Sequence, residues 1–477
     1  MLRRAFALLI CVTGCTRVAA TPTSSSDDAG PTTKQATSGV APDDDAGAIA
    51  DAGPPEVAQL DPDGDDDPED PGTGTAPTSG RWEKVGTPPL ALTRICDLTP
   101  LHGALYAAHA NQPLGTDGAT ITRYRPGAER PFSVAFDWNR PGEPVKGGGA
   151  GQGFVRVHAI DGRLFVPDAD PPYGGLGLVD HGTEGYVFVS DDKGTFAKAR
   201  APHFRPPAAP DLSPDGGARA GAGVLPRAYH VLDTIKFRGS YWASTGSVPP
   251  KQQAWRGDSP GALHRASPDG ARWIYETDYP FPYKDGVWRL TYMVRFKDRL
   301  YAGIQDYNGR EPNDFMYFTP DGTSAIRHED AHPIRVTRTG AAGTLRWWVD
   351  TRAKPHRLYW LAWTKTEGIG LFVTTDGDTW SRLPIPPEAG VPTDVTRFRD
   401  AVVILTTNGL HRLEEDGTTT EIALVDPSNP DVGTRADKKS KSPFEVTDFF
   451  CVAPLAVLDD VLYAGGQRGG ALYRLAE

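Results

Sequence analysis

The stretch Lys297-Asp298-Arg299-Leu300-Tyr301-Ala302 carries the pattern that decides the fold, a tight turn followed at once by an apolar and aromatic segment. Alternating β-branched and aromatic residues bounded by Asp, Gly or Pro are typical of a β-strand. The pattern occurs seven times along the chain. Its copies are His102–Ala107, Asp161–Val166, Arg238–Ala243, Lys297–Ala302, Pro355–Trp360, Arg399–Ile404 and Asp459–Ala464.

The copies recur at a mean spacing of about 60 residues, and a second short apolar segment such as Tyr186–Val189 follows each one. A regular period of this length with about four strands per unit is typical of radial all-β repeats. The sequence therefore predicts an all-β, seven-bladed β-propeller with four-stranded blades. Because the last copy ends at Glu477 after its third strand, we expect the segment Arg81–Val85 to close the last blade.

The amino terminus has the three-part layout of a secretory signal: Arg3 and Arg4, an apolar run from Ala5 to Val12, and small residues before Cys15. Val12-Thr13-Gly14-Cys15 resembles the bacterial lipobox. This resemblance implies a signal peptide over 1–14 and lipidation of Cys15, so that a lipid anchor joins the protein to the membrane. Thr16 follows the cysteine, which favours the outer membrane of the cell envelope, on its periplasmic or surface-exposed side. An ordinary secretory signal is the alternative.

Residues 15–80 are predicted to be a disordered, acidic linker. Between residues 16 and 80 there is no aromatic residue, and twelve Asp and two Glu stand against Arg17 and Lys34. Such a segment cannot bury enough apolar surface to offset the entropy of ordering it. The net charge of the whole chain is −11, so nearly all of it belongs to this linker, and the predicted propeller over residues 81–477 is almost neutral. This charge pattern argues against nucleic acid as a partner.

One part of the linker, Asp61–Asp67, is rich in carboxylates and contains a turn glycine, as calcium loops do. Its spacing does not fit the EF-hand, because Gly64 is the fourth residue of the segment. We therefore expect no cofactor. A solvated acidic spacer is the better interpretation, with Ca²⁺ as the alternative.

Four cysteines are present. If Cys11 leaves with the signal and Cys15 is acylated, Cys96 and Cys451 remain in an oxidising compartment, in the first and last repeats. We predict a disulfide between them that locks the ring where it closes. Two free buried thiols are the alternative.

Two hairpin turns, Ser190–Phe196 and Thr374–Trp380, resemble the Asp-box of sialidase-type propellers, with a difference of one residue in spacing. In that family the motif shapes a turn remote from the active site. The resemblance therefore implies a propeller fold and says nothing about catalysis. Arg94-Ile95-Cys96 stands where the family has Arg-Ile-Pro, which argues against sialidase chemistry.

Loops between the second and third strands are longest in blades two to four, and functional residues of propellers lie mostly on such loops. Aromatic and charged residues together are typical of a ligand groove. The candidate ligand-binding residues of these loops are Asp168, Asp170, Tyr173, Asp180, His181, Trp255, Arg256, Asp306, Tyr307 and Arg310. Plain surface is the alternative interpretation.

The innermost strands of blades two and three add Arg156, His158, His230 and Asp233, which we expect to converge on the central channel near Asp168. Histidines and carboxylates together can bind a ligand or transfer protons, although hydrogen-bonded structural histidines are common. The sequence predicts an envelope-anchored binding or interaction module with a carbohydrate or protein ligand. The alternatives are a carbohydrate-active enzyme, hydrolase or lyase, acting on the loop face of blades two to four, and a purely structural envelope component.

Overall fold

The computed structural model describes residues 70–110, 119–138, 153–169, 184–196, 221–226, 228, 230–246, 261–266, 273–278, 288–306, 315–318, 325–327, 343–364, 368–425, 442–446 and 450–477. In these ranges the chain forms 28 β-strands and one short 3-10 helix, Pro387–Ala389. No helix in them is long and apolar enough to span a membrane. The predicted signal, the lipidation site Cys15 and the acidic segment 61–67 lie outside the described residues.

The strands follow one another in antiparallel meanders of four, as expected for propeller repeats. The first sheet contains β2 (Ile95–Leu101), β3 (Ala104–His109), β4 (Thr120–Tyr124) and β5 (Phe132–Asp137). The second sheet contains β6 (His158–Ile160), β7 (Arg163–Pro167), β8 (Glu184–Val189) and β9 (Gly221–Pro226).

The next two meanders are joined in a single sheet of eight strands. The first of them contains β10 (His230–Phe237), β11 (Ser240–Gly246), β12 (Ala262–Ala266) and β13 (Trp273–Asp278). The second contains β14 (Trp288–Phe296), β15 (Arg299–Asp306), β16 (Phe315–Phe318) and β17 (Ala325–Arg327). The prediction of seven separate blades was therefore wrong: the described strands form six sheets, because Gly246 of β11 pairs with Arg289 of β14.

Three further sheets complete the ring. One contains β18 (Thr344–Asp350), β19 (Arg357–Thr364), β20 (Gly368–Thr374) and β21 (Ser381–Arg382), and the next contains β22 (Pro392–Phe398), β23 (Ala401–Thr406), β24 (Gly409–Leu413) and β25 (Thr419–Leu424). The last contains β26 (Leu455–Leu458), β27 (Val461–Gly465), β28 (Leu472–Ala476) and β1 (Arg81–Gly86). As predicted, the N-terminal strand β1 closes this sheet by pairing with β28.

The repeated turn between the first and second strands of a meander has a clear backbone explanation. In the β6–β7 turn, Asp161 and Gly162 both have positive φ angles, 51° and 72°, and Lys297 and Asp298 do the same in the β14–β15 turn. Two successive positive φ angles give a type I′ turn, whose twist matches that of the paired strands. Asp, Asn and Gly tolerate this conformation best, which is why the sequence pattern marks these turns.

The two turns that resemble an Asp-box are held by their aspartates. Each Oδ1 accepts two backbone N–H groups, from Lys193 (2.9 Å) and Thr195 (2.7 Å) for Asp191, and from Asp378 (2.9 Å) and Thr379 (2.7 Å) for Asp376. The central Gly377 has φ 83°, and a Cβ there would lie 2.2 Å from the Tyr301 hydroxyl. These residues therefore shape the turn, as their sequence predicts.

Residues 70–80 belong to the predicted disordered linker, yet they pack on the turns of the last two sheets. Asp460 Oδ1 accepts the N–H of Thr73 at 2.6 Å, and Asp400 Oδ1 accepts the N–H of Ala76 at 2.8 Å. The Arg399 backbone N–H donates to the Pro71 carbonyl at 2.6 Å. We call residues 70–80 the strap; it extends the folded part eleven residues before the predicted boundary at 81.

The predicted disulfide between Cys96 and Cys451 is confirmed, and both residues are almost fully buried. Cys96 lies in β2, as expected. Cys451 lies four residues before β26, in the segment that leads into that strand. The bond joins the first sheet to the last across a sequence separation of 355 residues.

Candidate functional site

A set of polar residues occupies one equivalent position in, or just before, the innermost strands. The second strand of each repeat has near its start a Leu or a similar residue that pairs with a residue of the innermost strand. The polar residue stands three positions before that paired residue. In β2, β10, β14, β18 and β22 a shift of the strand register falls at this position. Such a bulge turns a side chain away from the regular pleat. We call the residues at this position the central ring: Asp97, Arg156, Asp233, Tyr292, Arg346 and Asp394.

Arg346 of the central ring crosses the centre of the propeller. Its guanidinium donates to Asp97 Oδ1 at 2.9 Å and to the Cys96 carbonyl at 3.0 Å, and its Nε lies 3.3 Å from Asp394 Oδ1. All three side chains of this Asp97–Arg346–Asp394 group are buried. Burial opposes the charged guanidinium, but the two carboxylates outweigh it and raise the pKa of Arg346. The group therefore joins β2, β18 and β22 by charge.

The three aspartates of the ring also tie their own innermost strands, β2, β10 and β22, to the next repeat around the ring. Every one of them accepts a backbone N–H through Oδ2. The pairs are Asp97 with Val157 at 3.1 Å, Asp233 with Met293 at 2.7 Å, and Asp394 with Leu455 at 2.7 Å. Hydrogen bonds to an ionised acceptor are among the stronger ones in proteins. These aspartates therefore hold neighbouring repeats together.

The two buried aspartates that flank Arg346 differ in their pKa. Burial opposes ionisation of Asp97, but Arg156 and Arg346 outweigh that effect and lower its pKa. Burial dominates at Asp394 and raises its pKa to about 6, with Arg346 opposing the shift. Asp97 has two arginine neighbours and Asp394 has one, which accounts for the difference.

Arg156 lies over the ring of Tyr292, with its Cζ atom 3.9 Å from the ring centroid. Its Nη1 is 3.6 Å from Asp97 Oδ1, longer than a direct hydrogen bond. The Tyr292 hydroxyl in turn donates to the Phe450 carbonyl at 2.7 Å. Cation–π contact and a nearby carboxylate together stabilise the buried guanidinium, so the predicted candidate Arg156 is part of the packed centre.

His158 and Asp233 form the closest ionisable pair at this site. His158 Nε2 lies 2.6 Å from Asp233 Oδ1. Asp233 is held in place because it also accepts the N–H groups of Thr234 at 3.0 Å and Met293 at 2.7 Å. The His158 side chain is 18% exposed whereas that of Asp233 is 2% exposed. The carboxylate thus orients an imidazole that solvent, and hence a ligand, can reach.

His230 is buried between two different elements. Its Nδ1 lies 2.8 Å from the Ala169 carbonyl, and its Nε2 lies 3.1 Å from Nη2 of Arg289. A carbonyl can only accept and a guanidinium can only donate, so Nδ1 carries the proton and Nε2 accepts. The Arg289 guanidinium lies 5.7 Å from the Phe450 ring centroid. His230 therefore positions Arg289 at the start of β14.

Asp168 is fully buried and is committed to the backbone. Its Oδ2 accepts the N–H of Tyr186 at 2.9 Å, and its Oδ1 accepts the N–H of Val231 at 3.0 Å. These bonds connect β8 to β10, which belong to neighbouring sheets. The structure thus places Asp168 as a brace at the start of the loop after β7.

Most of the loop candidates remain predictions. Asp306 is the last residue of β15, but its side chain is not described. The others lie outside the described residues: Asp170, Tyr173, Asp180, His181, Trp255, Arg256, Tyr307 and Arg310. Within the described part of the chain, no group of three or more His, Cys, Asp or Glu is arranged to hold a metal ion.

Sequence reasoning missed four members of the central ring, Asp97, Tyr292, Arg346 and Asp394. The sequence nevertheless contains a signal for three of these four residues. Asp97, Asp233, Tyr292 and Asp394 each stand eight residues before the leucine-like residue of their repeat, as does Arg156. A recurrent polar residue at one offset in an otherwise apolar strand indicates a shared structural position. Arg346 does not share this offset. The turn before Leu358 is longer, so Arg346 stands farther from the leucine in the sequence.

Comparison with known proteins finds only distant similarity to solved structures. No family model matches the chain, and no curated protein matches it. Solved structures with a similar fold include the extracellular domain of a putative one component system from B. thetaiotaomicron (10% identity, TM-score 0.46), which covers 83% of this chain. The chain spans 40% of the length of that domain.

Two further structures match almost over their whole length. Virginiamycin B lyase from Staphylococcus aureus has 8% identity and a TM-score of 0.43, and the match covers 83% of this chain and 99% of the lyase. BamB from Moraxella catarrhalis has 13% identity and a TM-score of 0.36, with 84% and 98% covered. The sheet topology and the central ring together define the class of this protein as a β-propeller with a charged centre.

Proposed function

We propose that this protein is an exported β-propeller, anchored to the cell envelope through a lipid on Cys15, that binds a ligand at His158 in its centre. The observation that carries the proposal is the 2.6 Å His158–Asp233 pair, which remains partly exposed in a centre whose other charges are buried and paired. Trp255, Tyr307 and Arg310, which the sequence predicts on loops after second strands, are proposed as further ligand contacts. The outer membrane is the proposed location.

The central carboxylates favour binding over catalysis as the function, because they are already paired with arginine or with backbone N–H groups. Asp97 and Asp394 are buried against Arg346, and Asp168 gives both of its oxygens to backbone N–H groups. Hydrolysis of a glycoside needs two carboxyl groups facing the substrate about 5 to 10 Å apart. A binding surface needs only shape and a few placed polar groups, which His158 and Asp233 supply.

The strap supports display of the candidate loops away from the membrane. It contacts the turns β22–β23 and β26–β27 through Asp400 and Asp460. In a meander these turns and the loops after the second strands lie at opposite ends of the strands. A linker that leaves by the strap therefore starts on the end opposite the candidate loops.

The anchor is tested by growing a bacterial host that expresses the full chain with radiolabelled palmitate. We expect label in the wild type and in Cys11→Ala, the matched control, and none in Cys15→Ala. Label in Cys15→Ala, or none in the wild type, would contradict lipidation at Cys15.

The binding role is tested by screening the full chain against a glycan array and soluble peptidoglycan fragments. We expect saturable binding of at least one glycan without release of product, and weaker binding by Trp255→Ala. No binding to any of these ligands would overturn the carbohydrate-binding form of the proposal and favour a purely structural component.

A carbohydrate-active enzyme is the second candidate, and the same His158–Asp233 pair favours it. A carboxylate that orients a solvent-accessible imidazole can support general acid or base catalysis. Mass spectrometry of the same glycans after incubation with the protein distinguishes the two functions. Product formed by the wild type and lost in His158→Asn would establish the enzyme, and intact glycan would leave binding as the function.

A further inference from the structure

The turn between β18 and β19 differs in length and charge from the corresponding turns of the other sheets. It contains six residues, 351–356, whereas each of the other described turns between a first and a second strand contains two. Its sequence is Thr-Arg-Ala-Lys-Pro-His, without a carboxylate, and Arg352 and Lys354 are exposed. We call residues 351–356 the basic turn. It presents two cations at the end of the strands that also carries the strap.

Asp350 fixes the base of the basic turn. Its Oδ1 accepts the N–H groups of Arg352 at 3.2 Å and Ala353 at 3.3 Å, and it also accepts a hydrogen bond from Nε of Arg397 at 3.0 Å. The Asp350 side chain is only 2% exposed, and Arg397 neutralises its charge. The turn is therefore held by its base, and this carboxylate is not free to neutralise the cations of the turn.

Arg352 and Lys354 differ in their charge partners from a cation beside another turn at this end. Nζ of Lys236 lies 2.8 Å from Oδ1 of Asp161. Within the described part of the chain Arg352 and Lys354 form no ion pair, and Nζ of Lys354 lies 2.9 Å from Nε2 of His356 instead. The two charges of the basic turn are therefore available to an anionic partner that lies outside the described residues.

The strap brings the acidic linker close to the basic turn. At the start of the strap, the Pro71 carbonyl accepts the N–H of Arg399 in the β22–β23 turn at 2.6 Å. Two residues before Arg399, Arg397 reaches Asp350 at the base of the basic turn. The chain that precedes the strap therefore begins one sheet away from the basic turn, at the same end of the strands.

The nine residues that precede the strap complement the charge of the basic turn. Residues 61–69, Asp-Pro-Asp-Gly-Asp-Asp-Asp-Pro-Glu, contain six carboxylates and no cation. An extended chain spans at most about 3.3–3.6 Å per residue, so this segment can reach about 30 Å. Packed sheets lie about 10 Å apart. The segment is therefore long enough to reach the basic turn, and its attachment through the strap gives it a high effective concentration there.

We propose that residues 61–69 dock on the basic turn of the same chain, with their carboxylates against Arg352 and Lys354, as a continuation of the strap. A single exposed ion pair contributes little to stability, but here several carboxylates are held near two cations by a contact that already exists. Salt should release the segment, because it screens exposed charges. The docking uses neither the central ring nor His158, so it goes beyond the function proposed above and would stand if ligand binding at His158 failed.

Carbodiimide coupling of the full chain, followed by proteolysis and mass spectrometry, tests the proposal. The reagent joins a lysine to a carboxylate when the two groups are in contact. We expect amide cross-links within one chain from Lys354 to residues 61–69, at least tenfold more abundant than those from Lys193, an exposed lysine in the turn after β8. Raising NaCl from 0.1 to 1 M shortens the screening length from about 10 to about 3 Å, and should reduce the Lys354 cross-links at least fivefold. Equal yields from the two lysines, or cross-links only between two chains, would overturn the proposal.

A substitution separates docking from simple tethering. Arg352→Gln keeps Lys354 but removes one of the two charges, and should lower the yield of Lys354 cross-links at least threefold. Arg130→Gln, which replaces an exposed arginine in the β4–β5 turn, is the matched control and should leave the yield unchanged. Equal yields in Arg352→Gln and the wild type would mean that the strap alone keeps the segment near the turn, and would contradict docking by charge.

Discussion

Asp97, Asp233 and Asp394 each accept a backbone N–H from the next repeat. At the scale of single residues, this explains why polar groups occupy the centre of an apolar fold. A buried carboxylate is tolerated when hydrogen bonds and cations compensate for lost hydration. Asp168 follows the same logic between β8 and β10, although it stands on a loop.

Asp168→Asn should lower the free energy of unfolding by about 1–3 kcal/mol, the cost of leaving a buried donor unsatisfied. Asparagine offers one acceptor where two N–H groups need acceptors. The exposed Asp192→Asn serves as control, and chemical denaturation of both variants measures the difference. Equal stability of the two variants would show that Asp168 is not a brace.

His109 gives the fold a pH dependence. Burial lowers its pKa to about 4 from 6.5, and its two nitrogens are engaged by the Arg94 carbonyl and the Thr122 hydroxyl. Between pH 6.5 and 4 the unfolded chain takes up a proton there and the folded chain does not, so stability is lost as pH falls. Asp394 has the opposite effect. Because its pKa is raised in the folded state, the folded chain takes up a proton there before the unfolded chain does, and stability rises as pH falls.

The His109 effect is isolated by comparing the wild type with His109→Gln at several pH values. We expect the stability difference between them to shrink by about 2–3 kcal/mol from pH 7 to pH 4, by the conversion of a pKa shift into free energy. Denaturant unfolding measures it, with His356→Gln as the control. A difference that does not change with pH would contradict the buried, neutral state of His109.

At the scale of elements, the sequence predicts strands and turns well because both depend on local chemistry. The type I′ turns, the aspartate-held turns and the closing strand β1 were all predictable from residue type and spacing. The joining of β11 to β14 was not, because it depends on the Gly246–Arg289 pair between distant residues. The strap was missed for a similar reason: its composition indicates disorder, but Asp400 and Asp460 supply partners from other repeats.

The strap gives a prediction at this scale. Asp400→Ala removes the acceptor of the Ala76 N–H, so amide hydrogen exchange over residues 70–80 should become at least tenfold faster. Asp298→Ala, at the same place in the β14–β15 turn, is the matched control and should leave that exchange unchanged. Identical exchange in both variants would mean that Asp400 does not hold the strap.

At the scale of the whole molecule, two devices close the ring: the β1–β28 pairing and the Cys96–Cys451 disulfide. The cysteine count and the position of the two residues allowed the disulfide to be predicted. The Asp97–Arg346–Asp394 group adds a third connection, across the centre. It could not be predicted, because it requires knowing which repeats face one another.

The double variant Cys96→Ser/Cys451→Ser should lose about 2–5 kcal/mol of stability, since a cross-link over a long loop restricts the unfolded chain. Thermal unfolding with and without reductant measures this. Reductant should destabilise the wild type and leave the double variant unchanged. A double variant as stable as the oxidised wild type would show that strand pairing alone closes the ring.

The central claim is that the propeller binds its ligand at a central site that includes His158. The most direct measurement is the affinity of the glycan bound most tightly in the screen for two histidine variants of the full chain, His158→Ala and His356→Ala. His356 lies in the β18–β19 turn, where its Nε2 is 2.9 Å from Nζ of Lys354. We predict at least a tenfold loss of affinity in His158→Ala and less than twofold in His356→Ala, with both variants folded by circular dichroism. Equal affinities in the two variants, or a larger loss in His356→Ala, would contradict the account.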